Sequence, residues 1–340
     1  MIRQPTAAGH GQRTDCTTLS MIPYIGRKQR FCISPGAKKM IFFRYGFSKL
    51  RFLKKKLFPI CEISFIVNKK VIVSHLYETH LHTTNSSACA NSKGSEYIWI
   101  YKEMGYSGII VTDHFYNGNT AIPRNLPWKE WVKHFCRGYE EALNEGERMD
   151  FKVFFGWEET FDGCDDYLVY GLDKEWLMEH PEARTWTRAE QYHAVKAAGG
   201  CVVQAHPFRQ HYYIHKLILS AGCVDAIEAA NAGNTEQSYD ALAMRYAQKL
   251  RLPVTAGSDI HDARLISEDC LYGVVLDKEL NTIDDYVSAI RNNTIIGISA
   301  CEHRCDYSGN ETVRIPLDIR DRNDMSTGKS WEEFLEGDLI

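Results

Sequence analysis

From about Val71 onward, short apolar runs alternate with amphipathic ones, and few folds accept such a pattern. Val71–Tyr77, Gly108–Thr112, Phe151–Phe155, Tyr167–Tyr170, Cys201–Gln204, Val224–Glu228, Pro253–Ala256, Leu271–Leu276 and Thr294–Ile298 read as strands. Between them, Glu96–Met104, Trp128–Gly146, Thr187–Ala198, Glu236–Leu250 and Ile283–Arg291 read as helices. Gly199-Gly200 is a natural stop for the third of these. Continuously apolar strands separated by helices predict a parallel sheet covered on both faces. Six or seven such units predict an α/β barrel, with catalytic groups just past the C-terminal strand ends.

Those strand ends carry an uncommon set of side chains. His80 and His82 follow the first strand, Asp113 and His114 the second, and Glu158 the third. His206 follows Cys201–Gln204, and Asp259 and His261 follow Pro253–Ala256. Residues two apart on extended chain share a side, so His80 with His82, and Asp259 with His261, can face one mouth. Imidazole and carboxylate together suit Zn²⁺, Mn²⁺ or Fe²⁺. A single such histidine is more often structural. All of them being incidental would strand many polar groups in the most apolar parts of the chain, at a high desolvation cost.

His80-Leu81-His82, Thr112-Asp113-His114, Ala205-His206-Pro207 and Ser258-Asp259-Ile260-His261, in that order, resemble the motifs of the PHP (polymerase and histidinol phosphatase) superfamily over about residues 75–300. The resemblance implies a distorted (β/α)7 TIM-like barrel with two or three divalent metal ions (Zn, Mn or Fe), like the stand-alone bacterial metal-dependent phosphoesterases. It implies that His80, His82, Glu158 and Asp259 hold one ion, with Glu158 bridging. His114 and His261 would serve a second, and His206 a third. Asp113 would act as a ligand-orienting acid. The chain departs from the pattern in three places. Glu78 stands where Asp is common. Thr83–Cys89 offers no strong ligand except Cys89. Glu228 or Asn231 occupies the region of a later histidine. These departures favour two ions over three.

Arg209, three residues past His206, is expected either to clamp a phosphate bidentately or to form a surface ion pair. His211, Tyr212, Tyr213 and His215 are expected along the cleft. His134, His180 and His193 are expected at surface or packing positions, and Trp128, Trp131, Phe135 and Tyr139 in the core. The expected reaction is attack of a metal-activated water on a small phosphate monoester or nucleotide. The alternatives are an exonuclease acting on short oligonucleotides, and a catalytically inactive binding module on the same barrel.

Charge separates the ends of the chain. Residues 1–75 hold 15 Lys and Arg against Asp15 and Glu62, a surplus of 13 positive charges, so the remainder carries 17 negative ones to reach the chain's −4. An acidic body does not attract long nucleic acid over distance. Residues 1–70 lack periodicity and read as a disordered or non-native extension, or alternatively as a basic arm; 71–305 read as the barrel and 306–340 as a polar tail. The 11 cysteines contain no CxxC pair and are expected as mostly reduced thiols in a cytoplasmic protein. No apolar run is long enough for a transmembrane helix, so no membrane partner is expected.

Overall fold

The computed structural model describes residues 74–267, 271–301, 304 and 311–338, and the strand backbone of 30–32, 42–43, 63–67 and 70–73. Most of the basic extension thus lies outside the described residues. Within it, β1 (Arg30–Cys32), β2 (Phe42–Phe43) and β3 (Ile63–Val67) are strands, and β3 pairs antiparallel with β4 (Lys70–Glu78).

The chain continues through α1 (Gly94–Glu103), β5 (Gly108–Val111), α2 (Trp128–Phe135), α3 (Arg137–Met149), β6 (Lys152–Thr160), β7 (Asp166–Tyr170), α4 (Lys174–Glu179), α5 (Arg188–Ala197) and β8 (Cys201–Gln204). It then forms β9 (Leu217–Ser220), β10 (Ala226–Asn231), α6 (Gln237–Leu250), β11 (Val254–Gly257), β12 (Gly273–Leu276), α7 (Ile283–Arg291), β13 (Gly297–Ala300), β14 (Leu317–Arg320) and α8 (Trp331–Glu336). α5 starts at a capping box, Thr187 with Glu190, and is followed by Gly199 at φ +96°, a conformation glycine adopts without strain.

The barrel wall runs β4-β5-β6-β7-β8-β10-β11, with β12 and β13 added beside β4. β4-β5-β6 and β8-β10-β11 are parallel. Beyond the last strand, Leu81 and Ile260 form a parallel bridge: Asp259 N–H donates to His80 O at 2.8 Å and His82 N–H to Ile260 O at 3.0 Å. These bonds close the wall where the HxH and DxH segments lie. The result is a distorted seven-stranded α/β barrel.

The expectation of an all-parallel sheet fails at β7, which is antiparallel to both β6 and β8, and at β12 and β13. Residues 161–165 are too few for a parallel crossover, so β6 and β7 form a hairpin. The single helix expected over 128–146 is two helices; at their junction Ser86 Oγ donates to Phe135 O at 2.6 Å. β6 runs three residues past Glu158's neighbour Trp157, so Glu158 lies inside a strand and not beyond its end.

Trp131, Phe135, Trp157, Leu168, Val203 and Ile227 belong to the main core, with Trp128 and Tyr139 partly buried against it. The segment from 311 carries β14, parallel to β9, and α8, whose Trp331 and Phe334 are buried against Phe208 and Tyr246. Cys89, Cys136, Cys164, Cys201 and Cys223 are free thiols, and Cys301 is disulfide-bonded. Among the described residues no helix is long and apolar enough to cross a membrane.

Candidate metal centre

Five chain segments deliver side chains to one point at the barrel mouth. Glu158, fully buried on β6, stands at its middle. Its Oε1 lies 3.2 Å from His80 Nε2 and 3.2 Å from His206 Nε2; its Oε2 lies 2.8 Å from His114 Nδ1 and 3.5 Å from His82 Nε2. Asp259 Oδ1 is 3.1 Å from His82 Nε2 and 3.5 Å from His80 Nε2. His261 joins by ring contact, with centroids 4.3 Å from His82. All seven residues expected as ligands therefore meet. His206 and Asp259 have positive φ, 28° and 55°, a conformation non-glycine residues adopt only when the surroundings hold them there.

Hydrogen bonds set which ring nitrogens face inward. Ser87 Oγ donates to Asp113 Oδ1 at 2.7 Å, so it can only accept from His82 Nδ1–H at 3.2 Å and His114 N–H at 3.0 Å. Glu228 Oε1 accepts from His80 Nδ1–H at 3.0 Å, and Asp259 O accepts from His261 Nδ1–H at 2.8 Å. Each of these rings is left with its Nε2 lone pair free, the usual arrangement of a metal-binding histidine.

Donor chemistry fits divalent cations. His80 Nε2, His82 Nε2, His114 Nδ1 and Glu158 Oε2 are buried without a hydrogen-bond partner, a cost few native sites tolerate unless something else satisfies them. Four sets of donors each lie within 4.8 Å of one another: His80-His82-Asp259, His82-His114-His261, Glu158-Asp166-His206 and His80-His206-Glu228.

Electrostatics agree. Burial would raise the Asp259 carboxyl, but His80 and Arg209 outweigh it and hold it well below the usual range; His80 and His114 do the same for Glu158. Burial disfavours a charged His82, and His114 and His261 push the same way, so this imidazole stays neutral. His80 shows the opposite balance: desolvation is outweighed by Asp259, Glu228 and Glu158, and the ring attracts a proton. The field that favours that proton also favours a cation in its place. Burial raises the Cys89 thiol, but contact with His114 and His261 prevails and brings it down to about 6.

Asp113 does not reach the cluster. It accepts from Thr83 N–H at 2.6 Å, Thr83 Oγ1 at 2.7 Å and Ser87, and so holds the turn behind His82. Burial pushes it up to about 6. Arg209 donates from Nη1 to Asp259 Oδ2 at 2.7 Å, from Nη2 to Asn231 Oδ1 at 2.6 Å and from Nε to Asn234 Oδ1 at 3.0 Å. Glu78 accepts from the N–H groups of His80 and Ser258, both at 2.9 Å, pinning the two ligand-bearing segments together. His211, Tyr212, Tyr213 and His215 lie on an exposed loop, Tyr212 being 86% exposed. His134 and His180 are partly buried, and His193 is exposed.

Sequence reasoning missed Asp166, at the start of β7, and left Glu228 without a role. A lone carboxylate within the otherwise apolar Ala226–Ala230 was the available signal for Glu228. Asp166 gave only an Asp165-Asp166 pair before an apolar strand, which is common at any strand entry.

A distorted α/β barrel with histidines and carboxylates converging at its mouth defines the class of protein. Residues 239–295 match the PHP-associated family model, PHP_C. The match covers part of the barrel, and the four motifs that resemble those of the PHP superfamily are gathered in one site. Solved structures similar to it include a two-domain protein from Bacteroides vulgatus containing a predicted PHP-like metal-dependent phosphoesterase (16% identity, 65% of this chain and 64% of that one, TM-score 0.47). PsfC from Pseudomonas syringae is another (17% identity, 64% and 89% of the chains, TM-score 0.44). An amidohydrolase from Chromobacterium violaceum with bound sulfate is a third (14%, 55% and 87%, TM-score 0.36). The chain thus spans 64% of the length of the Bacteroides protein. No curated protein matches.

Proposed function

We propose that this chain is a metal-dependent hydrolase of small phosphate monoesters or nucleotides. The observation that carries this reading is the set of four buried, unpartnered donor atoms on His80, His82, His114 and Glu158, facing one another from three segments. His80, His82, Glu158 and Asp259 would hold one ion and His114 and His261 a second, with Glu158 between them; Glu158, Asp166 and His206 form the candidate third set. Divalent ions bound there supply Lewis acidity and a water of lowered pKa.

The chain's own residues select an anion. Arg209 lines one cleft with Asp166 and His206, and Lys216, which also lines it, pairs with Asp318 at 3.4 Å. Two of the five guanidinium N–H groups of Arg209 are left by its three protein bonds and are available to a substrate oxygen. Asn231 and Asn234 hold that guanidinium in place. Among the described residues five cysteines are free thiols and Cys301 is disulfide-bonded; the proposal extends to a cytoplasmic location on the strength of the free thiols.

The test is metal analysis of the purified protein, followed by steady-state hydrolysis of an aryl phosphate, mononucleotides and short oligonucleotides with Mn²⁺ or Zn²⁺. Two or more ions per chain and turnover of the monoesters are expected. Faster turnover of oligonucleotides would favour the exonuclease reading, and metal binding without turnover of any ester would favour a binding module.

A further inference from the structure

The guanidinium of Arg209 is held by a chain of polar groups that runs away from the metal cluster. Its Nε–H donates to Asn234 Oδ1 at 3.0 Å, and Asn234 Nδ2 donates in turn to Asp240 Oδ1 at 2.6 Å. Arg304 Nη1 donates to Asp240 Oδ2 at 3.3 Å, and its Nη2 to the backbone O of Asn234. Asn234, Asp240 and Arg304 are all buried, Asp240 completely. Asp240 lies in the first turn of α6, among the buried Tyr239, Ala241, Leu242, Ala243 and Met244. A carboxylate suits that turn, but an exposed one would serve the helix dipole equally. Burying it costs desolvation that an apolar side chain would avoid. What the carboxylate adds is direction. It only accepts and a guanidinium only donates, so Asn234, between the two, turns its nitrogen to Asp240 and its oxygen to Arg209. Gly233 leaves the room this needs: a Cβ there would stand 2.8 Å from Arg209 Nη2.

We propose that Asp240, with Arg304 as its counter-charge, is a positioning residue that fixes Arg209 through Asn234 in the orientation that meets substrate. The inference rests on the reading of Arg209 as a substrate contact given above. Asp259 and Asn231 tie Nη1 and Nη2 of the guanidinium to the cluster side of the cleft. The Asn234–Asp240–Arg304 arm ties Nε to α6 and to the segment after β13. Bonded at three nitrogens, the guanidinium plane is fixed, and its two remaining N–H groups have defined directions. Loss of the arm leaves Nε–H without its acceptor and lets the plane turn about the bonds to Asp259 and Asn231. That costs orientation toward substrate and removes no metal donor.

Nuclear magnetic resonance of the full chain labelled with ¹⁵N-arginine reads the orientation without any turnover. The Nε–H resonance of Arg209 is the one missing from Arg209→Ala. In Asp240→Asn, whose carboxamide cannot accept from Asn234 and Arg304 together, that resonance is expected to exchange with water about tenfold faster, although residue 240 does not bond to Arg209. With Mn²⁺ or Zn²⁺ in excess, KM for an aryl phosphate should rise about tenfold while kcat and metal content stay near wild type. Asn234→Leu, which cuts the arm and leaves the Asp240–Arg304 pair, should raise KM equally, and it carries the test if Asp240→Asn does not fold. In an Arg209→Ala background, adding Asp240→Asn should change KM no further. Unchanged exchange in folded Asp240→Asn, unchanged KM in folded Asn234→Leu, or an equal rise in KM without Arg209 would overturn the positioning role and leave the hydrolase reading standing. Wild-type protein that loads metal and turns over no ester would overturn that reading and this role in the reaction together.

Discussion

Arg209 Nη1 lies 2.7 Å from Asp259 Oδ2, so the arginine expected to clamp substrate is also bonded to a carboxylate of the metal cluster. The guanidinium keeps Asp259 ionised and oriented while two asparagines hold the guanidinium itself. Arg209→Ala should therefore weaken metal retention about 10–100-fold as well as raise KM, because outer partners of ligands carry effects of that size. Metal content after dialysis, read beside the KM and kcat of the same sample, checks this. A raised KM with full metal content would confine Arg209 to substrate binding.

Removing a direct donor should do more. His80→Ala and Asp259→Ala are expected to lose at least one ion per chain and to bring kcat down to background, since both side chains sit within 3.5 Å of each other in the first donor set. Inductively coupled plasma analysis and phosphatase assays are the readouts. Full turnover in either variant would refute the assigned centre.

Behind His82, the Ser87–Asp113 pair should matter through orientation. Ser87→Ala frees the His82 ring and removes an acceptor for His114 N–H, so metal affinity should fall about 10–100-fold with little change in fold. Asp113→Ala leaves Thr83 N–H and Oγ1 without their acceptor and is expected to cost about 1–3 kcal/mol of stability as well. Chemical denaturation distinguishes the two variants.

Metal should stabilise the whole protein. The cluster buries three carboxylates, Glu158, Glu228 and Asp259, beside four mostly buried histidines, and a ligand that binds only the folded state raises Tm. At a free ion concentration of about 100 Kd, the gain is about 2.7 kcal/mol. Thermal unfolding with and without a chelator measures it, and an unchanged Tm in metal-loaded protein would count against coupling between site and fold.

A chain beginning at Val71 is expected to keep the centre, because every donor lies between His80 and His261. Its metal stoichiometry and phosphoesterase activity should match those of the full chain. An insoluble or metal-free product would show that β3, paired along the first half of β4, belongs to the folding unit.

The sequence by itself determined the barrel class and singled out seven side chains that the fold brings together. Local rules suffice for that: fully buried strands must be apolar, so a histidine or carboxylate at the end of one stands out in a linear reading. Tertiary structure decided what linear spacing does not encode. The antiparallel course of β7 depends on how a five-residue connection turns, and it is that hairpin which brings Asp166 beside Glu158 and His206. Glu228 meets His80 across 148 positions, and Arg209 meets Asp259 across 50. A methyl on Gly257 would collide with His80 Cβ, and one on Gly138 would run into Thr83 Oγ1 beside Asp113. Such roles arise from close approach between distant segments, where excluded volume and the need to satisfy buried polar atoms act in three dimensions.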